Sequence, residues 1–135
     1  MAEAALVRTG LTERMIEDGK RLIRELDRGR VRVTGALWLF ESDLAEWRLV
    51  IVTPFLSSHG PRDVLRRIRA VLKRFEKQGK GLRLRDVYIK DHKDSFVTML
   101  RKIVSTGGPS SLSEIRLSQV VVNGMLIEDA LVYRI

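Results

Sequence analysis

The sequence predicts an α+β domain, close to the α/β type, with one five-stranded mixed sheet and three helices in the order αββαβαββ. Residues 31–53 alternate between apolar and polar in two segments, which is typical of a β-hairpin. Amphipathic segments of helical period separate the predicted strands. Asn123-Gly124 joins two more strands, and this pair is a strong hairpin signal. With 135 residues and 44% hydrophobic content, we expect a single domain over 1–135.

The first helix is predicted over residues 12–28. Thr12 is a suitable N-cap, and Gly29 is a suitable stop. Residues 1–10 precede this helix and are expected to form a flexible arm. The apolar stripe of the helix should pack on the sheet, which leaves a polar face in solvent. That face comprises Arg14, Asp18, Arg21 and Glu25.

The predicted hairpin has strands at about 31–40 and 46–53. Near its end the first strand is apolar on both faces, because Leu37 and Leu39 alternate with Trp38 and Phe40. A strand that is covered on both faces belongs in the middle of a sheet. We therefore expect the first strand of the hairpin to be central.

The second long helix is predicted from Pro61 to about residue 78. Proline suits a first helical position, and glycine follows at Gly79. Apolar residues form one stripe of this helix, and basic residues form the opposite stripe. Residues 61–80 contain eight basic and two acidic side chains, so they carry +6 of the chain's net charge of +8.

The remaining elements are a strand at 82–90, a helix after residues 91–94, and strands at 115–122 and 125–135. A change of phase around Arg85-Asp86 predicts a bulge or a late start of the strand. The run 105–113 is small and polar, so a flexible loop is expected there. If all three helices share one face of the sheet, the opposite apolar face stays bare and is a plausible homodimer interface.

The composition restricts the class of protein. The chain has no cysteine, which excludes disulfides and thiolate metal sites. No apolar run approaches the roughly 20 residues that a membrane span needs, and no signal peptide is recognisable. We therefore expect a cytoplasmic protein without a membrane association. The positive net charge favours polyanionic partners.

The basic stripe of helix 61–78 has two interpretations. One is a nucleic-acid interface, in which the side chains contact successive phosphates without reading sequence. The other is an ordinary solvated face, because Arg and Lys are good helix formers. The residues concerned are Arg62, Arg66, Arg69, Lys73 and Lys77.

Two loops form a second candidate site. Ser57, Ser58, His59 and Gly60 precede a helix N-terminus, where backbone N–H groups and the helix dipole suit a phosphate or carboxylate. If strands 46–53 and 82–90 are parallel neighbours, this loop and residues 91–94 emerge at the same end of the sheet, where open α/β sheets bind ligands.

These loops contain the residue types of a catalytic site. His59, His92 and Asp91 are the candidates for a general base or for a site with two histidines and a carboxylate. The alternative is an ordinary structural role, in turns or as the N-cap of the following helix. The sequence contains no established phosphate-loop, dinucleotide or metal motif, so we expect no cofactor and no metal.

Three functions follow from these patterns. The first is a small, non-catalytic interaction module that forms a homo-oligomer or binds a protein partner. The second is a nucleic-acid-associated protein that uses the basic face of helix 61–78. The third is a hydrolase or anion-binding enzyme with its site at loops 57–60 and 91–94. Of the three, the sequence favours the non-enzymatic module.

Overall fold

The computed structural model describes residues 10–76, 82–108 and 110–135. Apart from Gly10, the expected N-terminal arm lies outside these residues. The end of the predicted helix 61–78, including Lys77, lies outside them as well.

Within the described ranges the elements follow the predicted order with two additions. They are α1 (Glu13–Arg28), β1 (Gly35–Glu41), β2 (Glu46–Val52), α2 (Phe55–His59), α3 (Pro61–Glu76), a 3-10 helix (Leu84–Asp86), β3 (Val87–Lys90), α4 (Ser95–Ile103), β4 (Ile115–Val122) and β5 (Met125–Arg134). The additions are α2, a short helix in the segment that the sequence predicted as a loop, and the 3-10 helix, which lies within the segment predicted as the strand 82–90.

The strands form one five-stranded sheet in the order β3-β2-β1-β5-β4. β1 is central, as predicted from its two apolar faces. β2 and β3 pair in parallel, and the other neighbours pair antiparallel, so the sheet is mixed. This confirms the predicted α+β class with a single mixed sheet.

Helices cover both faces of the sheet. On one face α1 and α3 pack over Trp38, Leu49 and Ile51, which are fully buried. On the other face α4 packs its Phe96 and Leu100 against Leu37, Val50 and Val132. The two faces are therefore both occupied, and the condition under which we expected a bare sheet face is not met.

Two local predictions were wrong, and one was confirmed. The first strand begins at Gly35 and not at residue 31, and Val31 and Val33 instead pack with the core beneath α1 and α3. Asp18 was expected in solvent but is 4% exposed. The change of phase at Arg85-Asp86 marks a late start of the strand, which was one of its two predicted alternatives: β3 begins at Val87 after a 3-10 turn, in which Asp86 accepts a hydrogen bond from the Arg83 amide at 3.3 Å.

Beside Asp18, α1 lies in close contact with the sheet at Gly19. The Tyr133 hydroxyl donates to the Ile16 carbonyl at 2.6 Å and accepts from Trp38 Nε1 at 2.8 Å. A Cβ atom at Gly19 would clash with that hydroxyl, so glycine is required there. Burial raises the pKa of Tyr133 well above its ordinary range, which keeps the hydroxyl protonated as a donor.

Candidate functional sites

The predicted basic stripe of α3 is exposed along its described length. Arg62, Arg66, Arg69 and Lys73 face solvent, while the opposite stripe of the helix is buried. The row from Arg62 to Lys73 is about 16 Å long at the helical rise of roughly 1.5 Å per residue. We call these four residues the α3 basic face. Lys77, the fifth predicted member, lies outside the described residues.

Ion pairs neutralise part of this helix. Asp63 lies 3.1 Å from Arg66 and 3.8 Å from Arg67, and Glu25 of α1 lies 3.5 Å from Arg74. Within the described part of the chain, no carboxylate pairs with the remaining three cations of the α3 basic face. These are Arg62, Arg69 and Lys73.

A shallow groove runs beside the α3 basic face. Leu65 and Leu84, both partly buried, contribute apolar surface to it, and Arg62, Arg66 and Arg69 contribute guanidinium groups. Guanidinium groups beside an apolar surface suit a ligand that carries both negative charge and flat or aliphatic parts.

The two predicted loops meet at one end of the sheet. Because β2 and β3 are parallel neighbours, their carboxyl ends lie side by side. Ser57 Oγ, two residues into α2, donates to Asp91 Oδ1 at 2.8 Å. The same carboxylate oxygen accepts from the His92 amide at 2.9 Å and lies 3.0 Å from His92 Nδ1. Sequence and structure therefore agree on the proximity of these two segments.

His59 is engaged elsewhere. Its ring stacks on Phe55 with centroids 3.6 Å apart, and its Nδ1 lies 2.7 Å from Ser58 Oγ. In residues 10–76, 82–108 and 110–135 no hydrogen bond joins His59 to Asp91 or His92, and no group of three metal-ligating side chains is present. The described residues therefore show no arrangement of the two histidines and a carboxylate that would hold a metal.

The carboxylate of Asp91 determines the electrostatics at this junction. The hydrogen bond from Ser57 is the main cause, and that from His92 a further one, of the lowered pKa of Asp91. Asp91 is therefore ionised at neutral pH, and its charge opposes an anion beside Ser57.

Asp94 has the alternative, structural role: its side chain accepts from the Val97 amide at 3.3 Å as the N-cap of α4. Binding of an anion by Ser57, Ser58, His59 and Gly60 remains a prediction.

Sequence reasoning missed a neighbouring cavity. This open cavity of about 560 Å³ is lined by His92 together with three arginines that are distant in sequence, Arg32, Arg101 and Arg134. It lies at the same end of the sheet, because β5 ends there and β1 begins there. The one signal in the sequence is Arg134, a charged residue that directly follows the buried run from Ala130 to Tyr133 at the end of β5.

Comparison of the chain with protein-family models, with curated proteins and with solved structures finds no significant match. The class that the fold defines is an α+β domain with a mixed sheet between two helical layers. In the described ranges, none of the helices has the length and apolar character to cross a bilayer.

Proposed function

We propose that this protein is a non-catalytic binding module that holds a nucleic-acid backbone on the α3 basic face. The observation that carries the proposal is the row of exposed cations on a helix whose other side is anchored in the core. Arg62, Arg69 and Lys73 have no ion-pair partner among the residues that the structure describes.

The rigidity of α3 supports this proposal. Val64, Ile68, Leu72 and Phe75 are buried against the sheet side of the helix, so its outer side chains project from a fixed axis. A row about 16 Å long faces roughly five phosphates of one strand, at about 3.4 Å of duplex axis per phosphate. Displacement of counterions from those phosphates supplies the affinity.

The proposed contact is with the backbone and not with bases. Trp38, Trp47 and Phe75 are buried in the core, as the sequence predicted, and cannot stack on bases without unfolding. The α3 basic face carries no aromatic side chain of its own. We therefore expect little discrimination between sequences.

The test is a nucleic-acid binding titration at low salt with two triple variants of equal charge change. One replaces Arg62, Arg69 and Lys73 by Glu. The other replaces Arg14, Arg24 and Lys102 by Glu, which are exposed cations on α1 and α4. We expect the first variant to lose binding by about 100-fold or more, because about three phosphate contacts become repulsive.

The control variant keeps most of its affinity under this proposal, since only the overall charge has changed. Equal losses in both variants would mean that affinity follows net charge alone, and the assignment to α3 would be wrong. Circular dichroism of both variants verifies that the fold is retained.

We also propose a cytoplasmic location for the module, and a homo-oligomer or a protein partner. Because both faces of the sheet are covered, a homodimer would have to use another surface than the one first considered. Gel filtration with light scattering measures the oligomeric state directly.

A further inference from the structure

The cavity beside His92 is built by segments from the whole length of the chain. Arg32 precedes β1, His92 follows β3, Arg101 is near the end of α4, and Arg134 ends β5. Asp27 is the one acidic side chain among its described lining residues. The basic side chains therefore outnumber the acidic one, and a positive potential is expected inside the cavity.

Arg134 is the most buried of these basic groups, at 3% exposed, and it is held from several sides. Its Nε donates to the Ser111 carbonyl at 3.0 Å, and its Nη1 donates to the Val33 carbonyl at 2.9 Å and to Asp27 at 3.2 Å. Its Nη2 has no hydrogen bond to a described residue, and Arg134 lines the cavity.

His92 presents a second unused group. Its Nδ1 faces the ionised carboxylate of Asp91 at 3.0 Å, and an ionised carboxylate only accepts, so Nδ1 carries the proton. Nε2 then faces away from Asp91 and has no partner in the described part of the chain. A carboxylate that fixes the ring orientation in this way is a common support for a histidine that contacts a ligand.

Small polar groups complete the lining. Thr106 and Ser110 contribute hydroxyl groups, and Gly107-Gly108 brings backbone close to the cavity without side chains. Arg101 is held loosely, with Nε 3.4 Å from the Ile135 main-chain oxygen. Arg32 is exposed and has no ion pair within the described ranges. Both guanidinium groups can therefore turn towards a ligand.

We propose that this cavity binds a small ligand through a phosphate group. Several guanidinium groups that converge from different elements match the forked geometry of phosphate oxygens. A volume of about 560 Å³ falls within the range of roughly 300 to 1,000 Å³ that is usual for small-molecule sites. His92 Nε2 would accept from a P–OH group, or donate when the ring is protonated. The site is distinct from the α3 basic face.

Isothermal titration calorimetry with inorganic phosphate and with phenyl phosphate tests this site. Arg101→Gln and Arg32→Gln should each weaken binding by about tenfold or more, because each removes a charge-assisted hydrogen bond. Lys102→Gln is the matched control, since it removes one exposed charge from the residue beside Arg101, outside the described lining of the cavity. This control should bind both ligands as the wild type does.

His92→Gln provides a second measurement in the same assay. It should reduce the affinity without a change in the melting temperature, because His92 is half-exposed. Tighter binding of phenyl phosphate than of inorganic phosphate would indicate an organic phosphate as the ligand. Equal binding would indicate the free anion, and either result supports the site.

Two results would overturn the proposal. One is the absence of measurable phosphate binding at millimolar concentration. The other is an equal loss of affinity in Arg101→Gln and Lys102→Gln, which would mean general attraction to a basic surface. The α3 variant with Arg62, Arg69 and Lys73 changed to Glu should still bind phosphate, so failure of this site and failure of the nucleic-acid interface can be told apart.

Discussion

Arginine serves in two contrasting environments in this protein. On the α3 basic face, Arg62 and Arg69 are exposed and lack ion pairs in the described residues. At the carboxyl ends of the parallel strands, Arg134 is almost fully buried, and its Nε and Nη1 donate to backbone and carboxylate oxygens. The cations of the α3 basic face are held only by their helix, whereas Arg134 is held by the tertiary structure.

This difference determines which ligand each region suits. Flexible, exposed side chains adapt to an extended polyanion, where charge matters more than exact position. A guanidinium that the fold already holds in place loses little further conformational entropy when a ligand binds. It therefore suits a small anion of defined geometry.

Removal of a fixed arginine should destabilise the fold, whereas removal of an exposed one should not. Arg134→Met should lower the free energy of unfolding by about 3 kcal/mol, because it leaves the Val33 and Ser111 carbonyls without their donor. Arg69→Met should change it by less than about 0.5 kcal/mol. Urea denaturation measures both. Similar values for the two variants would remove the basis of the comparison.

The salt dependence of the affinity should distinguish nucleic-acid binding on the α3 basic face from phosphate binding in the cavity almost as strongly. With three or four phosphate contacts on the α3 basic face, nucleic-acid affinity should fall by about 100-fold between roughly 50 and 200 mM salt. Phosphate binding in the cavity should fall by much less, because a small ligand releases few counterions. Titrations at several salt concentrations give both slopes. A shallow slope for nucleic acid would contradict a contact made mainly with phosphates.

Replacement of arginine by lysine should have different effects in the two regions. Arg101→Lys should weaken phosphate binding by about tenfold, because an ammonium group cannot reproduce the planar fork. Arg69→Lys should leave nucleic-acid affinity within about twofold, since the positive charge is retained. If lysine at this position keeps full phosphate affinity, the proposed match between the planar guanidinium fork and the phosphate oxygens is wrong.

The smallest effect concerns the support of His92. Ser57→Ala should raise the pKa of Asp91 towards its ordinary value of 3.8, because the hydrogen bond from Ser57 is the main cause of the lowered pKa. The folded-state pKa lies below that of the unfolded chain, so the stabilisation is present above about pH 4 and is lost as the pH falls through the folded-state pKa. Carbon-detected NMR titration of the carboxyl groups measures the shift.

The stability curves offer a check on the same prediction. The difference in unfolding free energy between wild type and Ser57→Ala should be constant near neutral pH and should shrink in acid. A pKa of Asp91 that does not change in this variant would show that another group lowers it.

Much of the fold could be predicted because its signals are local. Thr12 caps α1, Asn123-Gly124 turns the last hairpin, and the two apolar faces of residues 37–40 mark the central strand. Each signal depends on side chains that are close in sequence. The meeting of residues 57–60 with residues 91–94 could also be predicted, because parallel neighbouring strands end at the same edge of a sheet.

Other features depend on contacts that are distant in sequence. The helical period places Asp18 on the polar side of α1, yet its side chain is buried. The neighbouring Gly19 lies close to the sheet. The short helix α2 occupies a segment rich in turn-forming residues, where Thr53 Oγ1 accepts from the Phe55 amide at 3.1 Å. Local propensity did not indicate either result.

The sequence by itself determined the class of fold, the central strand and the basic stripe of α3, since each depends on a pattern within a single element. Tertiary structure alone decided that helices cover both faces of the sheet and that Arg32, His92, Arg101 and Arg134 line one cavity. The physical reason is that periodicity gives the direction of a side chain relative to its own helix or strand. Which distant side chains share a cavity depends on how those elements pack against one another.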